Sequence, residues 1–491
     1  MRKLLNKLFI SSLIALSLFN TSSVKAEEPV EFSFDSIKFP PLHDVAIPDV
    51  NKVTLNNGMR IYLLEDHSLP LLDVFVRVNI GSYLEPKNQI GLGDIVGDLL
   101  REGGTEKWSP DELDEMLEGL GASVETSGDV TFHSLSLNML SSQKDLAVEL
   151  MDQILRHPRF DEGRFEQAMI GYKSGIARRN DNPSSVASRE FRKMIYGKDS
   201  VFAAQTEYSD LANIKREDLI NFHKRYYKPE FVMMSVCGDF KMEEMVSLLK
   251  KHFEKWEKGN ETLPPIPEVK YDFDQRVGYV EIKDAKQANI FLGHIGGLSY
   301  DKDVPQRIVM NNILGAGGFS SRYFNIIRSK AGLCYSVYGV YDSNYTYPGM
   351  FINFTGTNCS SAIKATKMIK DVIKKFQTEG VSEEELNSGK QPYLNKFVFN
   401  FDSKEKIVNR MLTYDLFGLP YDFLQKQKEA VEKTTAEDVK AVANKYLKPD
   451  KMRIIICGDK ELFDEPLESL DNGKVEQIDI TIPEPTDREK K

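Results

Sequence analysis

The sequence predicts an α+β fold made of two homologous domains in tandem, and three observations support this prediction. Segments with alternating apolar and polar residues, typical of strands, are interspersed with segments of helical spacing. An Asn-Asn-Gly turn at residues 56–58 indicates an early β-hairpin. Two stretches of the chain also match one another at a constant offset. Each domain should therefore contain a mixed sheet with packed helices.

The individual elements of the first domain follow from local patterns. Leu71–Asn79 and Val130–Met139 alternate between apolar and polar residues, which predicts half-buried strands. Pro110–Leu120 follows Ser109, a favourable N-cap, and is predicted to be a helix. Gln143–Leu155 has the apolar spacing of a second helix. Strands followed by helices and a final strand are typical of an α+β unit.

The internal repeat relates residues that lie 220 positions apart. Residues 226–230 (Tyr-Tyr-Lys-Pro-Glu) precede Cys237-Gly238-Asp239, and residues 446–450 (Tyr-Leu-Lys-Pro-Asp) precede Cys457-Gly458-Asp459. A helix followed by Lys-Pro and a strand is a common local pattern, but the shared Cys-Gly-Asp ending favours a true repeat. A period of this length is too long for a solenoid and indicates a duplicated domain.

The N-terminus has the pattern of a secretory signal peptide. Three basic residues precede the apolar run Leu8–Phe19, which is too short to span a membrane, and small residues precede a cleavage site after Ala26. The predicted organisation, in order, is a signal peptide (1–26), an extended segment (27–44), a first domain (45–260), a linker (261–274), a second domain (275–475) and a flexible tail (476–491).

The charge of the predicted mature chain excludes one class of partner. Four of the 64 basic residues lie in the signal peptide, which leaves 60 against 74 acidic residues and a net charge of −14. An acidic chain repels phosphate backbones, so no nucleic acid is expected as a partner. No later segment has the length and apolarity of a membrane span, so no membrane insertion is expected.

Four cysteines are too few for a disulfide scaffold. Cys237 and Cys457 lie in apolar strand-like runs and are predicted to be buried thiols. Cys334 and Cys359 flank a predicted hairpin and could face each other, but the spacing does not fix the strand register. The sequence therefore does not decide whether Cys334 and Cys359 form a disulfide.

A motif in the first domain carries a resemblance to a known family. Gly81-Ser82 and Glu85 precede the segment Gly91–Leu100, and Gly104-Thr105 follows it. This layout resembles the pitrilysin/insulinase family of zinc metallopeptidases, the inverzincins. In that family a His-x-x-Glu-His helix occupies this place: the two histidines bind zinc from one helix face, and the glutamate activates water. The resemblance implies two domains that form a clam-like pair around a cavity.

The residues required for zinc catalysis are replaced at every corresponding position. Asp94 and Asp98 stand where the histidines would be, Gly97 stands where the base would be, and Ser174 corresponds to the further glutamate ligand. The two aspartates could hold a hard cation weakly, although a solvated acidic helix face is the simpler interpretation. No pair of histidines has metal-ligand spacing. The sequence therefore predicts no metal ion and no other cofactor in this chain.

The second domain retains the residues that the family uses around substrate. Arg328 lies seven residues before Tyr335, with Gly332-Leu333 between them, after a glycine-rich stretch at residues 315–318 that lacks the ending of a phosphate-binding loop. The resemblance implies that Arg328 grips the peptide backbone and that the Tyr335 hydroxyl supports the oxyanion, across the chamber from a zinc site. A helix-capping arginine and a strand tyrosine are the structural alternative.

Two functions are consistent with this combination. The chain could be the non-zinc subunit of a heterodimeric metalloendopeptidase, in which a homologous zinc-bearing subunit supplies the metal for cleaving unfolded peptide in the periplasm or outside the cell. It could also be a scaffold or peptide-binding protein without catalytic function. Retention of Arg328 together with Tyr335 favours the first. The sequence does not support an independent hydrolase, because it contains neither a Gly-x-Ser-x-Gly elbow nor a cysteine in a nucleophile-like context. Whether the chain also forms a homodimer stays open.

Overall fold

A computed structural model describes residues 48–470, 474–483 and 485, which belong to one compact unit, Ile47–Lys491. The predicted signal peptide (1–26) and extended segment (27–44) lie outside the described residues. No helix in this described part is long and apolar enough to cross a membrane.

The first sheet contains six strands in the order β1-β2-β6-β3-β5-β4. β2 and β6 are parallel, and the other neighbours are antiparallel. The predicted alternation is confirmed in the third strand, where Leu72, Val74, Val76 and Val78 are buried. The strands are β1 (Asn51–Thr54), β2 (Arg60–Glu65), β3 (Leu71–Val78), β4 (Ser123–Gly128), β5 (His133–Leu140) and β6 (Val232–Gly238).

The two helices predicted in the first half, Pro110–Leu120 and Gln143–Leu155, begin and end close to the predicted positions. The helix predicted after Ser109 is present, because the Ser109 hydroxyl accepts from the Glu112 N–H while the Glu112 carboxylate accepts from the Ser109 N–H. The helices are α1 (Leu92–Glu102), α2 (Pro110–Leu120), α3 (Lys144–Arg156), α4 (Glu162–Arg178), α5 (Pro183–Tyr196), α6 (Tyr208–Asn213), α7 (Arg216–Tyr226) and α8 (Met242–Phe253).

The second sheet also has six strands, in the order β10-β12-β8-β13-β7-β14, and a short β9–β11 pair lies beside it. Its helices include two π-helical segments, Asn312–Ala316 and Phe324–Lys330. The strands are β7 (Arg276–Glu281), β8 (Gln287–Ile295), β9 (Gly297–Leu298), β10 (Cys334–Tyr341), β11 (Ser343–Asn344), β12 (Met350–Asn358), β13 (Arg453–Gly458) and β14 (Val475–Gln477). The α-helices are α9 (Val304–Asn311), α10 (Ala362–Glu379), α11 (Glu383–Lys396), α12 (Lys404–Phe417), α13 (Phe423–Lys433) and α14 (Ala436–Tyr446).

The two sheets have equivalent topology, which confirms the α+β duplication. In each sheet the strand that ends in Cys-Gly has a parallel neighbour on one side and an antiparallel neighbour on the other. Cys237 on β6 and Cys457 on β13 therefore occupy equivalent strands. The same correspondence makes β4 and β10 equivalent. Each is the outermost strand at the same end of its sheet, and each comes directly after helical segments in the chain.

Each half of the chain contributes one helix to the sheet of the other half. The helix α5 packs on β8 and β13, and α12 packs on β2 and β6. Phe191 of α5 stacks on Phe291 with ring centroids 5.9 Å apart, and both side chains are buried. A buried side chain of this size contributes roughly 1.5–3 kcal/mol, so the exchange ties the two sheets together strongly. The start residues of α5 and α12 lie 221 positions apart, which extends the repeat to this exchange.

The predicted flexible tail (476–491) is wrong for its first residues. β14 pairs in parallel with β7, with Val475 opposite Val277, and the Ile478 N–H donates to the Tyr279 carbonyl at 2.8 Å. The Asn180 side chain then donates to the Ile480 carbonyl at 2.7 Å, and Ile482 packs against the core of the first sheet. The alternating isoleucines that follow β14, within an acidic, proline-containing stretch, were the sequence signal that this segment packs against the protein. Residues 484 and 486–491 lie outside the described residues.

All four cysteines are free thiols, so Cys334 and Cys359 do not form a disulfide. Cys334 is paired with Thr357 in the β10–β12 register, two residues before Cys359. The Cys359 thiol instead donates to the Ala285 carbonyl at 3.1 Å. The two cysteines flank a hairpin as predicted, but the register separates them.

Candidate functional site

The helix that corresponds to the zinc-binding helix, α1, begins at an acidic cavity. Its N-cap, Gly91, has φ = 101°, a conformation that favours glycine. The Glu85 carboxyl accepts from the Gly91 and Gly93 N–H groups at 3.1 and 3.0 Å. Burial raises the pKa of Glu85 to about 8 although these two hydrogen bonds oppose the shift. Glu85 lines a cavity of about 250 Å³ together with Asp94 and Asp129.

The two aspartates of the degenerate motif have different surroundings. Burial, and then the nearby Asp98 and Asp129, raise the pKa of Asp94 to about 6. Asp98 accepts a hydrogen bond at 2.8 Å from the hydroxyl of Tyr172 on α4. Burial, with Asp98 as the next cause, raises the pKa of Tyr172 well above its usual range. Ser174, which corresponds to the family's further ligand, lies two residues later on α4 and is exposed.

The position of the missing general base is closed by backbone packing. A Cβ atom on Gly97 would lie 2.2 Å from the backbone nitrogen and 2.6 Å from the Cα atom of Gly128 on β4. A Cβ on Gly128 would in turn lie 3.0 Å from the Cα of Asp94. These distances are shorter than van der Waals contact, so helix and strand can approach this closely only with glycine at both positions. A glutamate therefore has no room at position 97.

The second domain contains the same contact at its equivalent helix and strand. A Cβ on Gly315, in the π-helical segment that continues α9, would lie 2.4 Å from the backbone nitrogen of Gly339 on β10. The Tyr323 ring packs against both glycines. The degenerate helix of the first domain is thus packed on its outermost strand in the same way as the equivalent helix of the second domain, which carries no zinc motif.

The residues at this site do not fit a zinc ion. Structural and catalytic zinc sites need three or four nitrogen, sulfur or carboxylate ligands in tetrahedral arrangement. Within the described residues, no group of three or more histidine, cysteine or acidic side chains could hold a metal ion. Asp98 is hydrogen bonded by Tyr172, and no base can occupy position 97. The described residues of the first domain therefore provide neither a zinc ligand set nor a base at position 97 to activate water.

Arg328 and Tyr335 are brought together, with Tyr335 exposed and Arg328 partly buried. The guanidinium carbon of Arg328 lies 4.6 Å from the centroid of the Tyr335 ring and 4.7 Å from that of Phe324. Tyr335 is 81 % exposed and sits at a bulge in the outermost strand β10, between Cys334 and Ser336. The nearby Phe319 is 77 % exposed and meets Phe324 edge to face, with centroids 4.7 Å apart.

The two sets of residues are separate in the structure. No hydrogen bond, ion pair or ring contact joins the acidic cavity to Arg328 or Tyr335 in the described part of the chain. Sequence reasoning missed Tyr172 as the partner of Asp98 and Phe324 as the second ring beside Arg328. The four-residue spacing of Phe324 and Arg328 was a helical signal for the latter. No sequence pattern indicated Tyr172.

Comparison with known protein families matches both halves of the chain. The family described as insulinase (peptidase family M16) matches residues 60–204, and the family described as peptidase M16 inactive domain matches residues 213–393. This chain belongs to the insulinase family of peptidases. Since Asp94, Gly97 and Asp98 replace the family's zinc-binding and base residues, it is a non-catalytic member by its own residues.

Among similar curated proteins, "Non-peptidase homolog YmxG" of Helicobacter pylori is 22% identical over 400 residues, which cover 81% of this chain and 91% of the relative. "Uncharacterized zinc protease YmxG" of Bacillus subtilis is 24% identical over 363 residues, which cover 74% and 87%. The family thus includes relatives described in both ways at similar identity.

Solved structures share the fold. A peptidase M16 inactive domain from Pseudomonas fluorescens has a TM-score of 0.76 and 24% identity, covering 86% of this chain and all of that chain (100%). A protease from Helicobacter pylori has a TM-score of 0.73 and 19% identity, covering 84% and 99%. The periplasmic protease PqqL of Escherichia coli has a TM-score of 0.72 and 14% identity, and the match covers 87% of this chain but 49% of PqqL.

We expect the purified chain to contain no stoichiometric zinc and to cleave no peptide on its own. The reason is the absence of a suitable ligand set among the described residues and the closed position at Gly97. The measurement is elemental analysis after dialysis, together with a fluorogenic peptide assay. One tightly held zinc ion per chain would contradict this expectation.

Proposed function

We propose that this chain is the substrate-binding, non-zinc subunit of a heteromeric metalloendopeptidase, and that a homologous zinc-bearing subunit supplies the metal. The observation that carries the proposal is the presence of a partly buried Arg328 stacked on an exposed Tyr335 in a chain whose zinc-site residues are all replaced. A pair with only structural value would be expected to be buried and hydrogen bonded within the chain. The signal peptide predicted for residues 1–26 supports a periplasmic or extracellular location.

The chemistry of this pair suits peptide hydrolysis in the partner's active site. The Tyr335 phenol is a preorganised hydrogen-bond donor for the negative charge that develops on the tetrahedral intermediate, and the Arg328 guanidinium is a charged donor that can hold the peptide. The Tyr335 ring is held by the Arg328 guanidinium, and its hydroxyl has no hydrogen-bond partner in the described residues. The Tyr335 hydroxyl is therefore available to donate a hydrogen bond to an oxygen atom of another molecule.

The outermost strand of the second sheet offers a place for the substrate backbone. β10 pairs with β12 on one side only, and Tyr335 lies near its first residue. An extended peptide can add to such an edge through main-chain hydrogen bonds, which give affinity without demanding one sequence. Unfolded peptide is therefore the proposed substrate class.

The alternative is a non-catalytic scaffold or peptide-binding protein of the same fold. The Helicobacter pylori relative is described as a non-peptidase homologue, which favours this alternative as much as it favours a zinc-free subunit. The two functions differ in whether Arg328 and Tyr335 contribute to the rate of peptide cleavage.

Reconstitution with a zinc-bearing relative from the same genome tests the proposal. We expect this chain and the relative to co-purify, and the mixture to cleave a fluorogenic peptide much faster than either chain alone. A relative whose zinc-binding histidines are replaced by alanine is the matched control and should give an inactive pair. If the zinc-bearing chain is fully active alone and unaffected by this chain, the scaffold function takes precedence.

A further inference from the structure

The aromatic–arginine cluster, defined as Phe319, Phe324, Arg328 and Tyr335, has a cation at its centre. The rings of Phe324 and Tyr335 approach the Arg328 guanidinium to 4.7 and 4.6 Å. Rings stacked on a guanidinium cover its faces and leave the N–H donors in its plane available. Among the described residues, the Arg328 guanidinium makes no hydrogen bond and no ion pair with a carboxylate.

Other arginines of the second domain show what such a group normally binds. Arg322 lies 4.7 Å from the Phe376 ring, and its Nε and Nη2 donate to the two oxygens of Glu385 at 2.6 and 2.8 Å. Arg307 lies over the rings of Tyr341 and Tyr446, and its Nη1 donates to Asp301 at 3.0 Å.

A third ring-stacked arginine uses neutral oxygens. Arg410 lies 5.6 Å from the Phe401 ring and donates to the backbone and side-chain oxygens of Asn400. In the described part of the second domain, Arg328 is thus the ring-stacked arginine whose in-plane donors have no acceptor from the chain. Charge-assisted bidentate bonds to a carboxylate are the strongest that a guanidinium makes, and Arg322 already makes one in this domain.

We propose that Arg328 recognises the carboxylate of an aspartate or glutamate side chain in an extended peptide bound along β10. The choice of a peptide side chain rests on the proposed function, in which internal peptide segments pass this edge. Tyr335 at the β10 bulge places the guanidinium beside the edge strand. The exposed Phe319 provides apolar surface for a neighbouring bulky residue of the same peptide.

The net charge of the whole molecule opposes the binding of acidic peptides, so a measured preference for an acidic peptide would be informative about Arg328. The full sequence has a formal net charge of −10, so an acidic peptide is repelled at long range. At physiological salt such repulsion is screened beyond about 8 Å, whereas a contact pair with Arg328 is screened far less. A preference for an acidic peptide therefore reports a local contact.

The test measures binding of fluorescein-labelled peptides to the full chain by anisotropy. The peptides are extended, amidated at the C-terminus and identical except for one central residue, glutamate or glutamine. We expect the glutamate peptide to bind about tenfold more tightly, the factor that corresponds to 1.4 kcal/mol. Arg328→Gln should abolish this difference, and Arg328→Lys should reduce it because an ammonium cannot bind a carboxylate bidentately. Arg159→Gln, which removes an exposed arginine of the first domain, should leave it unchanged.

The outcomes separate this inference from the proposed function. Equal binding of both peptides by a chain that still activates the zinc-bearing partner overturns the carboxylate inference alone. A glutamine peptide that binds tightly only with a free C-terminal carboxylate also overturns it, since the ligand is then the chain end. No activation of the partner, with the glutamate preference intact and dependent on Arg328, overturns the proposed function and supports carboxylate recognition.

Discussion

Gly97→Glu destabilises the first domain instead of restoring a catalytic base. The Cβ of any side chain at this position would lie 2.2 Å from the backbone nitrogen of Gly128, so α1 and β4 must separate. Overpacking of a core costs about 3 kcal/mol or more when backbone must move, and a glutamate adds the cost of burying a carboxylate. We expect a large loss in the free energy of unfolding, measured by urea denaturation of the purified protein.

The chain offers matched controls for this substitution. Gly171 lies inside α4, and a Cβ there has no heavy atom within 4 Å. Gly171→Ala should therefore be neutral or stabilising by up to about 1 kcal/mol, since alanine is the better helix former. Gly171→Glu controls for the added charge. Restoring the whole motif with Asp94→His, Gly97→Glu and Asp98→His should give no zinc binding, and a folded triple variant with one zinc ion would contradict the closed packing.

Tyr335→Phe lowers kcat of the reconstituted pair by about 10²–10³, the usual cost of removing one oxyanion donor. The ring remains, so its stacking on Arg328 at 4.6 Å is kept. Because Tyr335 is 81 % exposed, the stability of the chain should not change. Arg328→Ala removes a contact to bound peptide and should mainly raise KM. Steady-state kinetics with the zinc-bearing partner measure both effects, and thermal melts check folding.

Tyr338 provides the control within the same strand. It lies three residues after Tyr335 on β10, is 40 % exposed, and packs on the Phe354 ring at 5.3 Å between centroids. Tyr338→Phe also removes one hydroxyl from this strand and should leave kcat and KM unchanged. If Tyr335→Phe behaves like Tyr338→Phe, the Arg328–Tyr335 pair has a structural role and the scaffold function is favoured.

Local patterns predicted the secondary structure well because local interactions determine it. The strand at Leu71–Val78 shows the alternating burial that its sequence indicates, and the helix at Pro110–Leu120 begins at the Ser109 cap. The tail was mistaken because Ile478, Ile480 and Ile482 are separated by acidic and polar residues. What makes this segment ordered is pairing with β7, a strand about 200 residues earlier in the chain.

The sequence indicates which residues to consider at the candidate site, but it does not give their geometry. The replacement of the zinc ligands and the Arg328–Tyr335 spacing can be read from the sequence, since they depend only on which side chain stands where. The sequence did not indicate that Tyr172 engages Asp98 or that Phe324 joins Arg328 to Tyr335 in one cluster. Each of these contacts depends on the orientation of a helix against its neighbours.

The sequence by itself determined that the chain is a duplicated α+β protein of the insulinase family whose zinc ligands are replaced. Chemical identity sets these properties, because no arrangement of aspartate and glycine reproduces two imidazoles and a base. Only the tertiary structure decided that position 97 is closed by Gly128 and that α5 and α12 are exchanged between the sheets. It also decided that Arg328 lacks an acceptor within the described chain. These properties arise from close packing between segments far apart in sequence, which a local pattern does not encode.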